Sequence, residues 1–256
     1  MIPEKPCDLT INRMVVLGGC HVKGFPVGEL HSFVNALADW LHVSDKQNVI
    51  VSSVSVKRLH KTLESVGELG PQDLVLLQLG NFETLAPMMF GKPHNSNSVD
   101  EVAKSGAIGI LASAGRFEQL RTAFVRSVGN GILFVIRELL RRPAFSASEF
   151  GGHLSDSRVH QSLSTAGVVV VIGALPTRVG VRNVYRRRAN VQLSLFANRK
   201  NYVFVDYLYA VRRSPPSSIT VDPIHLNVLG QSKLAEAVLK ALMVSFSKEK
   251  TDFSNN

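Results

Sequence analysis

Apolar positions fall into two regimes along this chain. Short β-branched runs, apolar at nearly every position, are separated by longer stretches whose apolar residues recur at helical spacing. Arg13 to Leu17 reads as a strand that stops at Gly18-Gly19. Val27 to His42 follows as a helix, with Leu30, Phe33, Val34, Leu37, Trp40 and Leu41 on its apolar face. Asn48 to Ser52 is a second strand, and Val56 to Leu69 a helix ended by Gly70-Pro71. Asp73 to Leu79 is a third strand, apolar on both faces, as in a sheet covered from both sides. From Gly80 to about Gly115, with Pro87, Gly91, Pro93 and polar His94 to Ser98, the pattern predicts a long loop with a short helix. Phe117 to Arg142 is helical, with Gly129 and Gly131 able to bend it and Pro143 closing it. Val168 to Gly173 is the fourth strand, Arg182 to Asn198 a helix, and Tyr202 to Asp206 the fifth strand. After Pro215-Pro216 a last helix runs from about Asn227 to Phe246, and polar Ser247 to Asn256 is expected to fray.

Strands alternating with helices predict an α/β fold, a three-layer sandwich around a five-stranded parallel sheet, with residues 1–256 as one domain. With 45% hydrophobic and 19% charged residues, the chain can build an ordinary globular core. The longest apolar run, Val168 to Leu175, is too short to cross a bilayer, so no membrane partner is expected. Met1-Ile2-Pro3-Glu4-Lys5-Pro6 lacks a secretory pattern, and the two cysteines, Cys7 and Cys20, are too few for a disulfide scaffold. A cytoplasmic protein with free thiols is expected. The formal charge of +9 would attract polyanions, yet its clusters at Arg141-Arg142, Arg186 to Arg188 and Arg212-Arg213 are not interleaved with aromatics. No nucleic-acid partner is therefore expected, and Arg182, Arg186, Arg187 and Arg188 are read as a solvated basic face, with contact to an anionic substrate or partner as the alternative. Among the eight histidines none pairs as His-x-x-x-His, and there is no Cys-x-x-Cys, so no metal is expected.

In parallel sheets, sites form at the C-terminal ends of strands. That rule selects the turn Gly18 to Gly24, the turn Gly80 to Glu83, and the loops after the fourth and fifth strands. In the first turn Cys20 follows two glycines and precedes a helix, where a thiol is prone to ionise, although a packed cysteine in a tight turn fits the same residues. His21 and Lys23 flank it and would raise its thiolate fraction if they face it. Before the last helix, Asp222 stands three residues ahead of His225. That spacing lets the carboxylate hold one imidazole nitrogen and leave the other as a general base. It equally suits a turn-capping Asp beside a packed His.

The blocks and their order resemble the SGNH or GDSL hydrolase family over most of the chain. Asp222-Pro223-Ile224-His225-Leu226-Asn227 with Gly230 resembles the family's Asp-x-x-His-Leu-Asn-x-x-Gly block. Gly18 and Gly24 resemble the glycines of its Gly-Asp-Ser turn, with Gly19 in place of the aspartate and Cys20 in place of the serine. Gln78-Leu79-Gly80-Asn81-Phe82-Glu83 falls where the family carries Gly-x-Asn-Asp. Phe82 occupies the asparagine position, and Asn81 lies one residue early. The resemblance implies Cys20 as nucleophile, His225 as base, Asp222 as its orienter, and the Cys20 N–H and Asn81 as oxyanion donors. Gly19, His21 and Gly80 would border the substrate. A backbone N–H in Ser52-Ser53-Val54-Ser55 would replace the donor of the family's second block. The implied activity is hydrolysis of an acyl ester of the O-acetyl type on a small molecule or saccharide, with no cofactor. A non-catalytic relative that binds a saccharide or protein, and an acyltransferase, remain alternatives. The hydrolase reading needs Cys20 Sγ within about 3–4 Å of His225 Nε2.

Overall fold

In β1 (Arg13–Gly18) every position after Arg13 is buried, because successive side chains enter opposite layers of core. Met14 and Val16 join one cluster; Val15 and Leu17 join the other. The same alternation runs through β3 (Asp73–Gln78) and β4 (Val168–Ile172). The computed structural model describes residues 10–43, 46–81, 146–178 and 180–253. The loop expected beyond Asn81, the helix expected over Phe117 to Arg142, Phe82 and Cys7 lie outside them.

With β2 (Val49–Ser53) and β5 (Val203–Val205), the strands form one all-parallel sheet in the order β2-β1-β3-β4-β5. Registers run Met14 to Val49, Met14 to Leu74, Leu74 to Val168 and Val170 to Val203. On one face lie α1 (Phe33–Leu41) and α8 (Val228–Phe253), which supply Phe33, Leu37, Leu234 and Val238. On the other lie α2 (Leu59–Val66), α3 (Ala147–Leu154), α4 (Ser157–Leu163) and α5 (Gly180–Arg199), with Leu63, Phe150, Val159 and Leu193. Short α6 (Tyr207–Ala210) and α7 (Pro216–Ile219) lead to the last loop. The chain reverses its winding between β1 and β3, and at such a reversal open α/β sheets place their ligand crevice, outside the C-terminal ends of the strands. No helix among the described residues is long and apolar enough to cross a membrane.

Several boundaries differ from expectation. α1 begins at Phe33 rather than Val27, because Gly28 takes a positive φ of 89° and Ser32 caps the helix by accepting from the Asn35 N–H. α2 ends at Gly67 (φ 84°), before Gly70-Pro71. α3 and α4 arise in a stretch for which no element was expected. Ser146 and Glu149 form a capping box on α3, and Asp156 caps α4. α8 continues to Phe253 instead of fraying after Phe246, since polar residues without glycine or proline do not stop a helix.

Gly230 sets how closely α8 approaches the loop before it. A Cβ there would lie 2.1 Å from the Ile219 carbonyl oxygen, and the Gly230 carbonyl accepts from the Tyr207 hydroxyl at 2.7 Å. Gly230→Ala is expected to cost about 1–3 kcal/mol through this overlap. A thermal melt should show Tm lower by a few degrees or more. An unchanged Tm would mean that the loop yields freely.

Candidate active site

The first wall of the crevice is the turn leaving β1. A Cβ on Gly18 would meet the Gln78 carbonyl oxygen at 2.6 Å and Val22 Cγ1 at 2.8 Å, so only glycine lets β1 lie this close to β3 and to its own turn. The Gly19 N–H donates to Gln78 Oε1 at 3.3 Å, and Cys20 to Lys23 form one 3-10 turn. Cys20 is a free, half-buried thiol. His21 is only 2% exposed, and its Nδ1 lies 3.7 Å from Cys20 Sγ. It thus faces the thiol as its neighbouring position allowed. Lys23 is exposed and takes no part in the thiol's surroundings. The Val54 N–H, in the stretch expected to supply a donor after β2, is already bonded to the Gly18 carbonyl at 2.8 Å.

The opposite wall is the tight loop between α7 and α8. An antiparallel bridge joins Thr220 to Leu226, and the Val221 N–H donates to the His225 carbonyl at 2.9 Å. At the tip, Asp222 Oδ1 accepts from the Ile224 and His225 N–H groups at 2.8 and 2.7 Å. Asp222 Oδ2 lies 2.6 Å from His225 Nδ1. The loop following β4 clamps this tip from outside. The Arg178 N–H and the Thr177 hydroxyl both donate to the Pro223 carbonyl, and the Arg178 guanidinium holds Thr220 through its carbonyl and hydroxyl. Asn227 caps α8 by accepting from the Gly230 N–H at 2.8 Å, and Gln231 Oε1 accepts from the Phe33 N–H at 3.1 Å, joining α8 to α1.

The two walls meet. The rings of His21 and His225 stand 5.4 Å apart, and Phe25 packs edge-on against His225 at 4.8 Å. Cys20 and His225 are close enough to shift each other's ionisation. The hydrogen bond of Cys20 Sγ runs to His21 Nδ1, however; His225 Nε2 is buried with no hydrogen-bond partner among the described residues, and so is His21 Nε2.

Asn81 completes the floor. Its Oδ1 accepts from the Leu175 N–H at 2.8 Å, which fixes the amide so that Nδ2 points to His21 Nδ1 at 3.4 Å. The same Nδ1 lies 3.7 Å from Cys20 Sγ, so Asn81, His21 and Cys20 form one series of contacts across the floor. Gly80 stands beneath with φ 89°, against Ala174.

Electrostatics follow the geometry. Burial opposes ionisation of Cys20, but the imidazoles of His21 and His225 outweigh it and bring the thiol down to about 5. Burial likewise opposes the charged form of His225, yet Asp222 and the Cys20 thiolate raise it to about 9. Burial works against the Asp222 carboxylate too, but bonds from His225 and the loop N–H groups hold it below the usual range.

Four contributing residues escape a reading of sequence alone: Gln78, Thr177, Arg178 and Arg186. Gln78 carries a signal, a polar residue at the C-terminal end of an otherwise apolar strand. Arg182 and Arg186 are buried, so the basic run is not a solvated face; only Arg187 and Arg188 are exposed. The signal lay in helical spacing, since Arg182 and Arg186 share a stripe with Ala189 and Leu193. Among the described residues no cluster of three or more His, Cys, Asp or Glu side chains is arranged to hold a metal ion.

No family model matches the chain, and no curated protein matches it. Solved structures share its fold. LAE5, an α/β hydrolase enzyme from the metagenome of Lake Arreo, Spain, has a TM-score of 0.53 at 13% identity, covering 91% of this chain and 95% of its own. A member of the lipolytic protein G-D-S-L family from Veillonella parvula has a TM-score of 0.52 at 14% identity, covering 89% and 96%. Axe2, an acetylxylan esterase from Geobacillus stearothermophilus, has a TM-score of 0.54 at 12% identity, covering 91% and 95%. The chain therefore shares its three-layer α/β architecture, built on a five-stranded parallel sheet, with these hydrolases.

Proposed function

We propose that this protein is an SGNH-type ester hydrolase that removes small acyl groups, of the O-acetyl type, from a saccharide or other small alcohol, through a Cys20-His225-Asp222 triad. The observation that carries the reading is the meeting of a half-buried thiol with an imidazole whose Nδ1 is held by a carboxylate at 2.6 Å and whose Nε2 is left without a partner among the described residues. The shared architecture with an acetylxylan esterase and a lipolytic G-D-S-L protein supports the substrate class.

The chemistry runs in two halves. The Cys20 thiolate attacks the ester carbonyl, the C–S bond forms, and the carbonyl oxygen becomes an oxyanion facing the Cys20 N–H and the Asn81 amide. Collapse expels the alkoxide, which takes the proton from His225 Nε2 and leaves a thioester on Cys20. His225 then removes a proton from water, the hydroxide attacks the thioester, and Cys20 departs as thiolate with the acid released. Asp222 keeps the Nδ1 proton in place throughout.

The test is turnover of p-nitrophenyl acetate and of an acetylated xylo-oligosaccharide by wild type, Cys20→Ala and His225→Ala. Turnover present in wild type and lost in both variants supports the hydrolase. Equal background from all three would favour a protein that only binds. The active form is the thiolate-imidazolium pair. With Cys20 lowered to about 5 and His225 raised to about 9, that pair exists between those values. A profile of kcat/KM is expected to rise through about pH 5 and fall through about pH 9. A single rise near an ordinary thiol value of about 8.5 would refute the ion pair.

A further inference from the structure

Arg186 is the most unusual charged group in the described structure. It is 1% exposed, among the largest side chains buried to this degree, yet the ion pairs among the described residues are Arg13–Asp73, Arg158–Asp156 and His225–Asp222. Its one hydrogen bond among the described residues goes from Nη1 to the Leu175 carbonyl, and Nε has no partner. The charges that act on it are Arg182 on its own helix, which repels it, and Cys20 in the turn after β1, whose anionic form attracts it. A guanidinium buried without a carboxylate is strongly unfavourable unless another anion compensates it.

The contacts lead from this cation to the thiol. Arg186 binds the Leu175 carbonyl; the Leu175 N–H binds Asn81 Oδ1; Asn81 Nδ2 faces His21 Nδ1; His21 Nδ1 faces Cys20 Sγ. We propose that Arg186 is a positioning residue for the ester hydrolysis, the fixed counter-charge of the Cys20 thiolate, and that it holds the Asn81-His21 floor in register through Leu175. This rests on the reading of Cys20 as an ionised nucleophile. The thiolate supplies the anion that Arg186 lacks, and Arg186 supplies a positive charge that, unlike His225, does not leave when the proton is handed to the alkoxide. Burial and Arg182 both lower the guanidinium's proton affinity, and the anionic form of Cys20 raises it. The titratable groups around the thiol are His21 from its own turn and His225 with Asp222 from the loop before α8, with Arg186 on α5 the further cation that the charge of Cys20 reaches; Lys23 is exposed.

The experiment is the pH dependence of Cys20 alkylation by iodoacetamide in a Cys7→Ser background, where a single thiol is read. Wild type should show a midpoint near 5. Arg186→Met should move it upward by about one unit or more, and Arg186→Lys should restore most of the shift. A wild-type midpoint near an ordinary thiol value would overturn the activated-thiol reading itself. A low midpoint unchanged by Arg186→Met would leave that reading intact and overturn this one, as would equal displacement in the Lys and Met variants. Should the Met variant not fold, the Arg186 Nε–H resonance of the wild-type protein decides. It must titrate with the Cys20 midpoint, and a resonance indifferent to that midpoint overturns the proposal.

Discussion

Replacing Cys20 by alanine is expected to reduce hydrolysis of short esters by about 10³-fold or more, with little change in Tm. The size follows from the loss of a covalent pathway. Residues of a triad act as a unit, and removing the nucleophile leaves only what binding and oxyanion donors provide. Stability should hardly fall, because Cys20 is half-buried in a 3-10 turn and belongs to neither hydrophobic cluster. Cys20→Ser separates nucleophile from shape. A hydroxyl is not ionised near neutral pH and must be activated during attack, so this variant should fall between alanine and wild type and lose the acid limb near pH 5. Mass spectrometry of wild type quenched during turnover should find the acyl group on Cys20. Acyl transfer persisting undiminished in Cys20→Ala would remove the thiol from the mechanism.

What the residues alone disclosed, and what they did not, divides along the range of the forces involved. β1, β3 and β4 were legible because continuous apolar runs report burial on both faces, a property each run carries by itself. Their C-terminal ends then located the crevice, and the Asp222-to-His225 contact was legible because three residues of sequence suffice to make it. Local caps set the errors. Ser32 starts α1 later than the apolar pattern does, and Ser146 and Asp156 start two helices whose short apolar stripes were easily missed. The site's electrostatics were less visible. Arg186 differs from Arg187 only in sharing the helical stripe of Ala189 and Leu193, and the rotation of α5 against β4 makes that stripe the buried one. His21 similarly faces inward because the 3-10 turn carries it toward the loop before α8, some two hundred residues away in sequence. Asn81 sits one place from where the family resemblance expects a donor, yet its amide reaches the site because Leu175 holds its oxygen.

Asp222→Asn should be nearly as damaging as loss of the nucleophile, at about 10⁴-fold in kcat, although it changes one atom. The geometry explains why. Asp222 Oδ1 is fixed by two N–H groups, from Ile224 and His225, and an asparagine must place its carbonyl oxygen there to keep them. Its NH₂ then occupies the position of Oδ2, 2.6 Å from His225 Nδ1. A donor facing Nδ1 turns that nitrogen into an acceptor and drives the ring proton to Nε2, the atom that must accept from the thiol. The loop survives, so Tm and KM should change little, while the base is lost. With the carboxylate gone, His225 loses the partner that most strongly favours its charged form, so the basic limb of the pH profile should move well below 9. Asp222→Ala removes the two loop bonds as well and should add a fall in Tm, which separates tautomer control from loop support. An Asp222→Asn enzyme retaining a tenth or more of wild-type kcat would show that His225 does not act as the base.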